Sequence, residues 1–159
     1  MNRQRQSLIL IAAIAIPAAA HPTFEPTAEG LCLASGAATY RIARDAPAAE
    51  FRIKIADDTA RPDLRMQLVD RAEIADFVLV DDLSGQEPAP CRSATPIRTV
   101  TVDTDTAQPD VTVNLSANAG VSDYKIYVDS VRFSQRDAAA LLAAMWKTDQ
   151  RRDATGSIR

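Results

Sequence analysis

Strict alternation of apolar and polar residues marks the clearest strands of this chain. In Phe51–Ala56 (FRIKIA) the apolar residues fall at every second position, and residues 64–69 (LRMQLV) repeat the pattern. Alternation at a period of two is typical of a strand with one buried face. The same criterion predicts short strands at 39–43, 97–102, 111–115 and 124–128.

The segment Phe77–Val80 (FVLV) differs, because it is apolar at every position and is bounded by Asp76 and Asp81. A short, continuous apolar run between turn formers is consistent with a strand buried on both faces. We therefore expect it near the centre of the sheet. We find no internal repeat in the sequence.

One helix is predicted, and it begins at Ser134. Ser134 is a good N-cap, Asp137 three residues later completes a capping box, and residues 138–146 (AAALLAAMW) have high helix propensity. The predicted fold class is α+β, with two layers. A mostly antiparallel or mixed sheet of about six strands has the C-terminal helix packed on one face.

The N-terminal twenty residues have the pattern of an export signal. A short basic segment precedes the apolar run 8–16 (LILIAAIAI), which is followed by Pro17 and three alanines. This order is typical of a cleavable secretory signal, here with cleavage between Ala20 and His21. The alternative is a retained membrane anchor, but a spanning helix needs about 20 apolar residues.

The domain organisation follows from that boundary. We predict a signal peptide at 1–20, one globular domain at 21–147 and a flexible polar tail at 148–159. The expected location is periplasmic or secreted, without stable membrane insertion after cleavage.

The two cysteines, Cys32 and Cys91, are predicted to form one structural disulfide. An exported protein meets an oxidising compartment, and two cysteines without CxxC spacing fit a single bridge better than a redox or metal site. Both flanking segments (GLCLASG and QEPAPCRSATP) are predicted to be irregular.

Charge disfavours nucleic acid as a partner. The whole chain carries a net charge of −3, and removal of residues 1–20 with their two arginines leaves 16 basic against 21 acidic residues, or −5. Nucleic-acid binding depends on clustered Lys and Arg. An acidic body of this kind would also be repelled by anionic lipid surfaces.

Common catalytic constellations are absent from the sequence. His21 is the only histidine, so Ser-His-Asp or Cys-His catalysis would depend on the mature N-terminal residue. There is neither a glycine-rich phosphate loop nor a GxSxG elbow. We therefore predict a protein that is not an enzyme and has no cofactor, and an unrecognised carboxylate-based hydrolase is the least favoured class.

Metal binding is the main alternative. A mature N-terminal His21 offers an amine and an imidazole to Cu(II), although the chain has no second histidine and Pro22 removes one backbone nitrogen as a ligand. Ca²⁺ could instead bind the Asp-rich turns, which are Asp57-Asp58, Asp81-Asp82 and Asp103 with Asp105. The competing interpretation is that Asp simply ends strands and begins turns.

Two tyrosines are candidate interaction residues. Tyr124 and Tyr127 fall on opposite faces of their predicted strand, so at least one is expected at the surface. An exposed tyrosine can anchor a protein partner.

Three segments resemble those of small exported proteins of unknown function from alphaproteobacteria. They are 75–82 (ADFVLVDD), 123–130 (DYKIYVDS) and 133–146 (FSQRDAAALLAAMW). The resemblance implies a periplasmic or secreted setting and no particular activity. The leading hypothesis is a periplasmic accessory protein whose sheet edge or helix-free face contacts another envelope protein.

Overall fold

The computed structural model describes residues 32–35, 38–44, 46–57, 59–80, 96–103 and 106–156. Within this part of the chain, one eight-stranded sheet curls into a half-barrel and a single long helix packs on one of its faces. The elements are β1 (Cys32–Ser35), β2 (Ala38–Ile42), β3 (Phe51–Ala56), β4 (Leu64–Leu68), β5 (Phe77–Val80), β6 (Ile97–Val102), β7 (Val111–Ser116), β8 (Tyr124–Asp129) and α1 (Gln135–Gly156). A 3-10 turn at Ala72–Ile74 precedes β5.

The two halves of the chain interleave in the sheet. The strand order is β1-β2-β6-β3-β7-β4-β8-β5, so the strands β2 to β5 alternate with β6, β7 and β8. Every pair is parallel except β1 with β2. As a result, no two strands of β2 to β5 are neighbours, and neither are any two of β6 to β8.

The predicted strand number was therefore wrong, since the sheet has eight strands rather than about six. Of the two expected arrangements, mostly antiparallel or mixed, the sheet is mixed, with β1–β2 as its antiparallel pair and the other pairs parallel. Alternation reports one buried face but carries no information about which strand lies alongside or in which direction. The segment CLAS, expected to be irregular, forms the strand β1.

Strands recur at a constant spacing, which corrects the expectation that the chain has no internal repeat. In the first half, β2, β3, β4 and β5 begin at residues 38, 51, 64 and 77, thirteen residues apart. In the second half, β7 and β8 begin at residues 111 and 124, again thirteen apart. Each copy of the repeat has apolar residues at alternate positions, and most copies have an acidic residue just before the strand. Because so few positions are specified, the copies share little sequence identity.

Short connections make this winding possible. The connections from β3 to β4 and from β7 to β8 have seven residues each, at 57–63 and 117–123. Parallel crossovers commonly need a dozen residues or more. Here each connection passes only one intervening strand of five or six residues, and seven extended residues reach about 23 Å. That is enough to return along a strand of about 20 Å.

An aspartate holds the start of β7 and of β8 against its neighbour. Asp110 accepts a hydrogen bond at Oδ2 from the Arg52 N–H at 2.9 Å, and the Asp110 N–H donates to the Arg52 carbonyl oxygen at 2.8 Å. Asp123 makes the same pair of bonds with Arg65, at 2.7 and 2.8 Å. We call this two-bond arrangement the Asp clamp.

The start of β4 and of β5 is held in the same way. Asp63 forms an Asp clamp with Thr112, at 2.7 and 2.8 Å, and Asp76 forms one with Lys125, also at 2.7 and 2.8 Å. Four strands therefore begin with a carboxylate that satisfies a backbone N–H of the adjacent strand. This chemistry explains why an Asp precedes these strands.

The core lies between the sheet and α1. Its largest fully buried side chains are Phe51, Ile53, Ile55, Met66, Ile126, Leu141, Val100, Val111 and Val113. Burial of each such side chain contributes roughly 1.5–3 kcal/mol. The helix contributes mainly alanines at 138–140 and 143–144, all inaccessible to solvent. Short side chains at these positions let the helix approach the curled sheet closely.

The helix begins as predicted and ends later. Ser134 Oγ accepts from the Asp137 N–H at 3.1 Å, and Asp137 Oδ2 accepts from the Ser134 N–H at 2.9 Å, which is a complete capping box. The predicted tail from residue 148 is instead helical as far as Gly156. Thr148 is only 3% exposed, because this part of the helix still packs on the sheet.

The apolar strand β5 is at the edge of the sheet, not at its centre. Phe77 and Leu79 pack towards the core, whereas Val78 and Val80 are exposed. The continuous apolar run predicts burial on both faces, and this prediction is wrong, because Val78 and Val80 expose one face of β5 to solvent.

Candidate functional site

Three of the five large apolar residues that are exposed in the described part of the chain lie in β5 or in the turn before it. Val78 is 46% exposed, Val80 is 56% exposed, and Ile74 in the preceding 3-10 turn is 41% exposed. Tyr127 lies beside Val78 in the register of β8 and β5, so its ring belongs to the same face. An apolar strand with an open edge is a template for another strand.

The backbone of β5 has a position equivalent to one that, in β2, β3 and β4, hydrogen-bonds to the next strand of the sheet or to the residue before it. Thr39 donates its N–H to the Pro96 carbonyl at 3.2 Å, and the N–H groups of Arg52 and Arg65 donate to Asp110 and Asp123. Each of these residues is the second of its strand and faces the strand that follows in the sheet. Val78 is the next member, thirteen residues after Arg65, so its N–H and C=O face the outer edge.

The chain does not supply a further described strand for that edge. After β8, the repeat would place an acid and a new strand near residues 136–138, where Asp137 is found. Asp137 is buried in the capping box of α1 instead, and the alanine-rich sequence after it is helical. The strand series therefore ends with β5, and among the described residues no strand pairs its outer edge.

A second organised region is a charged cluster where the end of α1 meets the start of β3. Arg98 Nη1 lies 2.8 Å from Glu50 Oε1, and Arg151 Nη2 lies 3.6 Å from Asp110 Oδ1. The Arg151 guanidinium carbon lies 4.9 Å from the centroid of the Phe51 ring, a cation–π distance. The cluster therefore fastens the helix end to the sheet, and its charges are already paired.

Beneath this cluster lies a buried hydroxyl pair. The Tyr40 hydroxyl donates to Thr148 Oγ1 at 3.2 Å, and Thr148 Oγ1 donates to the Ala144 carbonyl at 2.8 Å. Buried polar groups need such partners, because an unpaired one costs about 1–3 kcal/mol. These groups are used to hold the helix on β2, so we assign them a structural role.

Several sequence-predicted site residues lie outside the described part of the chain. These are the cleavage pair Ala20 and His21, with the proposed Cu(II) ligand, and Cys91. Cys32 lies in β1 and is not a free cysteine. The pairing of Cys32 with Cys91 and copper binding by His21 both stay predictions.

The Asp-rich turns are only partly described. Asp57 and Asp103 are exposed at the ends of β3 and β6, whereas Asp58, Asp81-Asp82 and Asp105 lie outside the described residues. Over the ranges that the structure covers, no group of three or more His, Cys, Asp or Glu side chains is placed to hold a metal ion. Calcium binding by these turns also stays a prediction.

The two candidate tyrosines occupy different surroundings, and both are partly buried. Tyr124 packs against the core. Tyr127 adjoins Val78 at the outer edge region, so it is the one of the two that lies with the exposed apolar residues. Sequence reasoning missed Val78, Val80 and Ile74, although the thirteen-residue spacing of Asp63 with Asp76 and of Asp110 with Asp123 was a usable signal of the repeat.

The hollows on the described part of the chain provide no further candidate site. An open hollow of about 340 Å³ lies between β4 and residues 118–122, lined by Arg65 and Gln67 among others. Among the residues that line this hollow, Arg65 alone is titratable. We assign it no chemistry.

Comparison with known proteins leaves the edge of β5 as the candidate site on geometry alone. In the ranges that the structure covers, no helix has the length and apolar character needed to cross a bilayer. No protein-family model, no curated protein and no solved structure matches this chain.

Proposed function

We propose that this protein is an exported, non-catalytic interaction protein that binds an extended segment of another envelope protein along the outer edge of β5. The single observation that carries this proposal is the outer edge of β5, which no described strand pairs and beside which Val78, Val80 and Ile74 expose apolar side chains. Export rests on the basic, apolar and small-residue order of residues 1–20.

The physical basis is strand addition. An edge strand offers a row of backbone N–H and C=O groups, and most proteins protect such edges with charges, proline or a covering element. Here two valines stand on the edge strand instead. An added strand would pair with the backbone of β5 and set its own side chains beside these valines, as in other cases of recognition by β-augmentation.

Co-purification from the native envelope tests the proposal. The full chain carries a C-terminal tag, is crosslinked in cells and is recovered as wild type and as Val80→Lys. We expect a stoichiometric partner with the wild type and its loss with Val80→Lys, since a lysine on an edge strand opposes further pairing.

The matched control is Val121→Lys. Val121 is 89% exposed and lies in the connection between β7 and β8, so the same change is made away from β5. Retention of the partner by Val121→Lys, with unchanged melting temperatures in both variants, assigns the effect to the edge. Equal recovery of the partner by Val80→Lys and wild type would overturn the proposal.

A further inference from the structure

We infer that the partner segment lies parallel to β5 and begins with an aspartate that clamps the backbone of Val78. This inference rests on the proposed function, because it specifies the ligand of the same edge. It assigns the direction, the starting residue and the side-chain pattern of the bound strand.

The direction and the starting residue come from two precedents within the molecule. The outer edges of β3 and β4 are each occupied by a parallel strand of the second half, and in both cases an Asp clamp joins its start to Arg52 or Arg65. Val78 is the equivalent residue of β5, at the same thirteen-residue interval. The edge of β5 therefore presents the same pair of backbone groups in the same geometry.

The side-chain pattern follows from the same two strands. After Asp110 and after Asp123, apolar residues at the first and third positions pack towards the core, as Val111, Val113 and Ile126 show by their complete burial. In the two precedents, the first residue after the clamp lies beside the residue that follows the clamped one, as Val111 lies beside Ile53 and Tyr124 beside Met66. The first residue of a strand added to β5 would therefore lie beside Leu79. The ligand class is therefore an extended segment of the form Asp-apolar-x-apolar-x-apolar.

A second copy of this chain does not supply such a strand from its described part. Its four clamping aspartates are each engaged in their own sheet, at distances of 2.7–2.9 Å from the backbone N–H that they accept. Releasing one would break a strand pair of the donor. Outside the described residues, no Asp of the sequence is followed by apolar residues at the first, third and fifth positions. The inference therefore commits to a segment of a different protein.

The test uses a synthetic peptide with the sequence of residues 110–116 (DVTVNLS) and the full mature protein labelled for amide NMR. We expect millimolar peptide to shift the amide signals of Phe77–Val80, with little change at the β1 edge. A peptide of reversed sequence has the same composition and alternation but places its aspartate at the other end, and it should not produce these shifts.

Two changes examine the clamp itself. Replacing the first peptide residue, Asp→Asn, should weaken binding about tenfold, because hydrogen bonds to charged groups are stronger than neutral ones. On the protein, Val78→Pro removes the N–H that the clamp uses and should abolish binding. The N–H groups that pair β5 with β8 belong to other residues, so the sheet should persist, and Val80→Lys provides a second test if Val78→Pro does not fold.

The outcomes separate this inference from the proposed function. If the forward and reversed peptides bind equally and Val80→Lys weakens both, docking at the edge stands but the parallel, Asp-led strand is wrong. If no peptide binds while co-purification recovers a partner sensitive to Val80→Lys, the inference again fails alone. Shifts that are unaffected by Val78→Pro and Val80→Lys would place the peptide elsewhere and overturn the inference.

Discussion

Asp63 and Thr112 exchange two hydrogen bonds although they are 49 residues apart in the sequence. The Thr112 N–H donates to Asp63 Oδ2 at 2.7 Å, and the Asp63 N–H donates to the Thr112 carbonyl at 2.8 Å. Three further aspartates repeat this arrangement along the same end of the sheet. The four clamps join the two halves of the chain at four consecutive strand boundaries, from β3–β7 to β8–β5.

Removal of this clamp is expected to destabilise the fold. Asp63→Ala leaves the Thr112 N–H without its carboxylate, and a hydrogen bond to a charged group contributes about 1.5–3 kcal/mol. Because Asp63 is exposed, water replaces part of the loss, and we expect a decrease of about 1 kcal/mol in the free energy of unfolding. Urea unfolding measures it.

The control for this prediction is Asp70→Ala. Within the described residues, Asp70 forms its ion pair with Arg71, at 3.8 Å, and its side chain is 90% exposed. Its removal should change stability by no more than about 0.5 kcal/mol. An Asp63→Ala protein as stable as Asp70→Ala would contradict a stabilising role for the clamp.

Interleaving predicts that neither half of the chain folds alone. A cut between residues 81 and 90 would separate β1 to β5 from β6 to α1, and every strand pair other than β1 with β2 joins the two fragments. Each fragment should lack dispersed amide NMR signals by itself. Mixing them under refolding conditions should restore the spectrum of the intact protein.

If neighbouring strands of the sheet came from the same half of the chain, the isolated fragments would behave differently. One fragment would then retain protected amides in hydrogen exchange, since its strands would still pair. Such protection in isolated residues 32–80, outside the β1–β2 hairpin, would contradict the interleaved order.

The buried hydroxyl pair predicts a specific non-additivity. Thr148→Val leaves the Tyr40 hydroxyl buried without an acceptor and should cost about 1–3 kcal/mol, whereas Tyr40→Phe should cost about 0.5–1.5 kcal/mol. The double variant should be less destabilised than the sum of the two, because no orphaned hydroxyl remains. A double-mutant cycle by urea unfolding measures the coupling, and full additivity would argue against the hydrogen bond.

Arg151 should stabilise the end of α1, and its neighbour Arg152 should not. Arg151→Ala removes the contact with the Phe51 ring and the ion pair with Asp110, and we expect a loss of about 0.5–1 kcal/mol. In the part of the chain that the structure covers, Arg152 pairs with Asp149, one helical turn away, at 3.6 Å. Thermal unfolding of Arg151→Ala and Arg152→Ala gives the comparison, and equal melting temperatures would be the contrary result.

The predicted disulfide can be tested directly on mature protein. If Cys32 and Cys91 are bridged, non-reducing mass spectrometry should find the chain two hydrogens lighter than its reduced form. Closing a loop of this length contributes roughly 4 kcal/mol in the chain-entropy model, so reduction should lower the melting temperature strongly. Two free thiols in protein isolated without reductant would contradict the prediction.

The sequence by itself determined the local elements. Alternation in Phe51–Ala56 predicted a strand with one buried face, and Ser134 with Asp137 predicted the start of the helix, because these signals depend on neighbours within a few residues. The predicted export signal is likewise a linear pattern, and it stays a prediction. For the same reason β1 was missed, since four residues are too few for alternation to be recognised.

Only the tertiary structure decided which strands are neighbours and what the edge of β5 presents. The Asp clamps and the interleaved order depend on pairs that lie 49 or 58 residues apart, and alternation contains no information about them. The apolar run of Phe77–Val80 looked central, yet its position at the edge follows from the repeat ending at Asp137. The candidate site is the place where a series of strands stops, and that position exists only once the other strands are assembled.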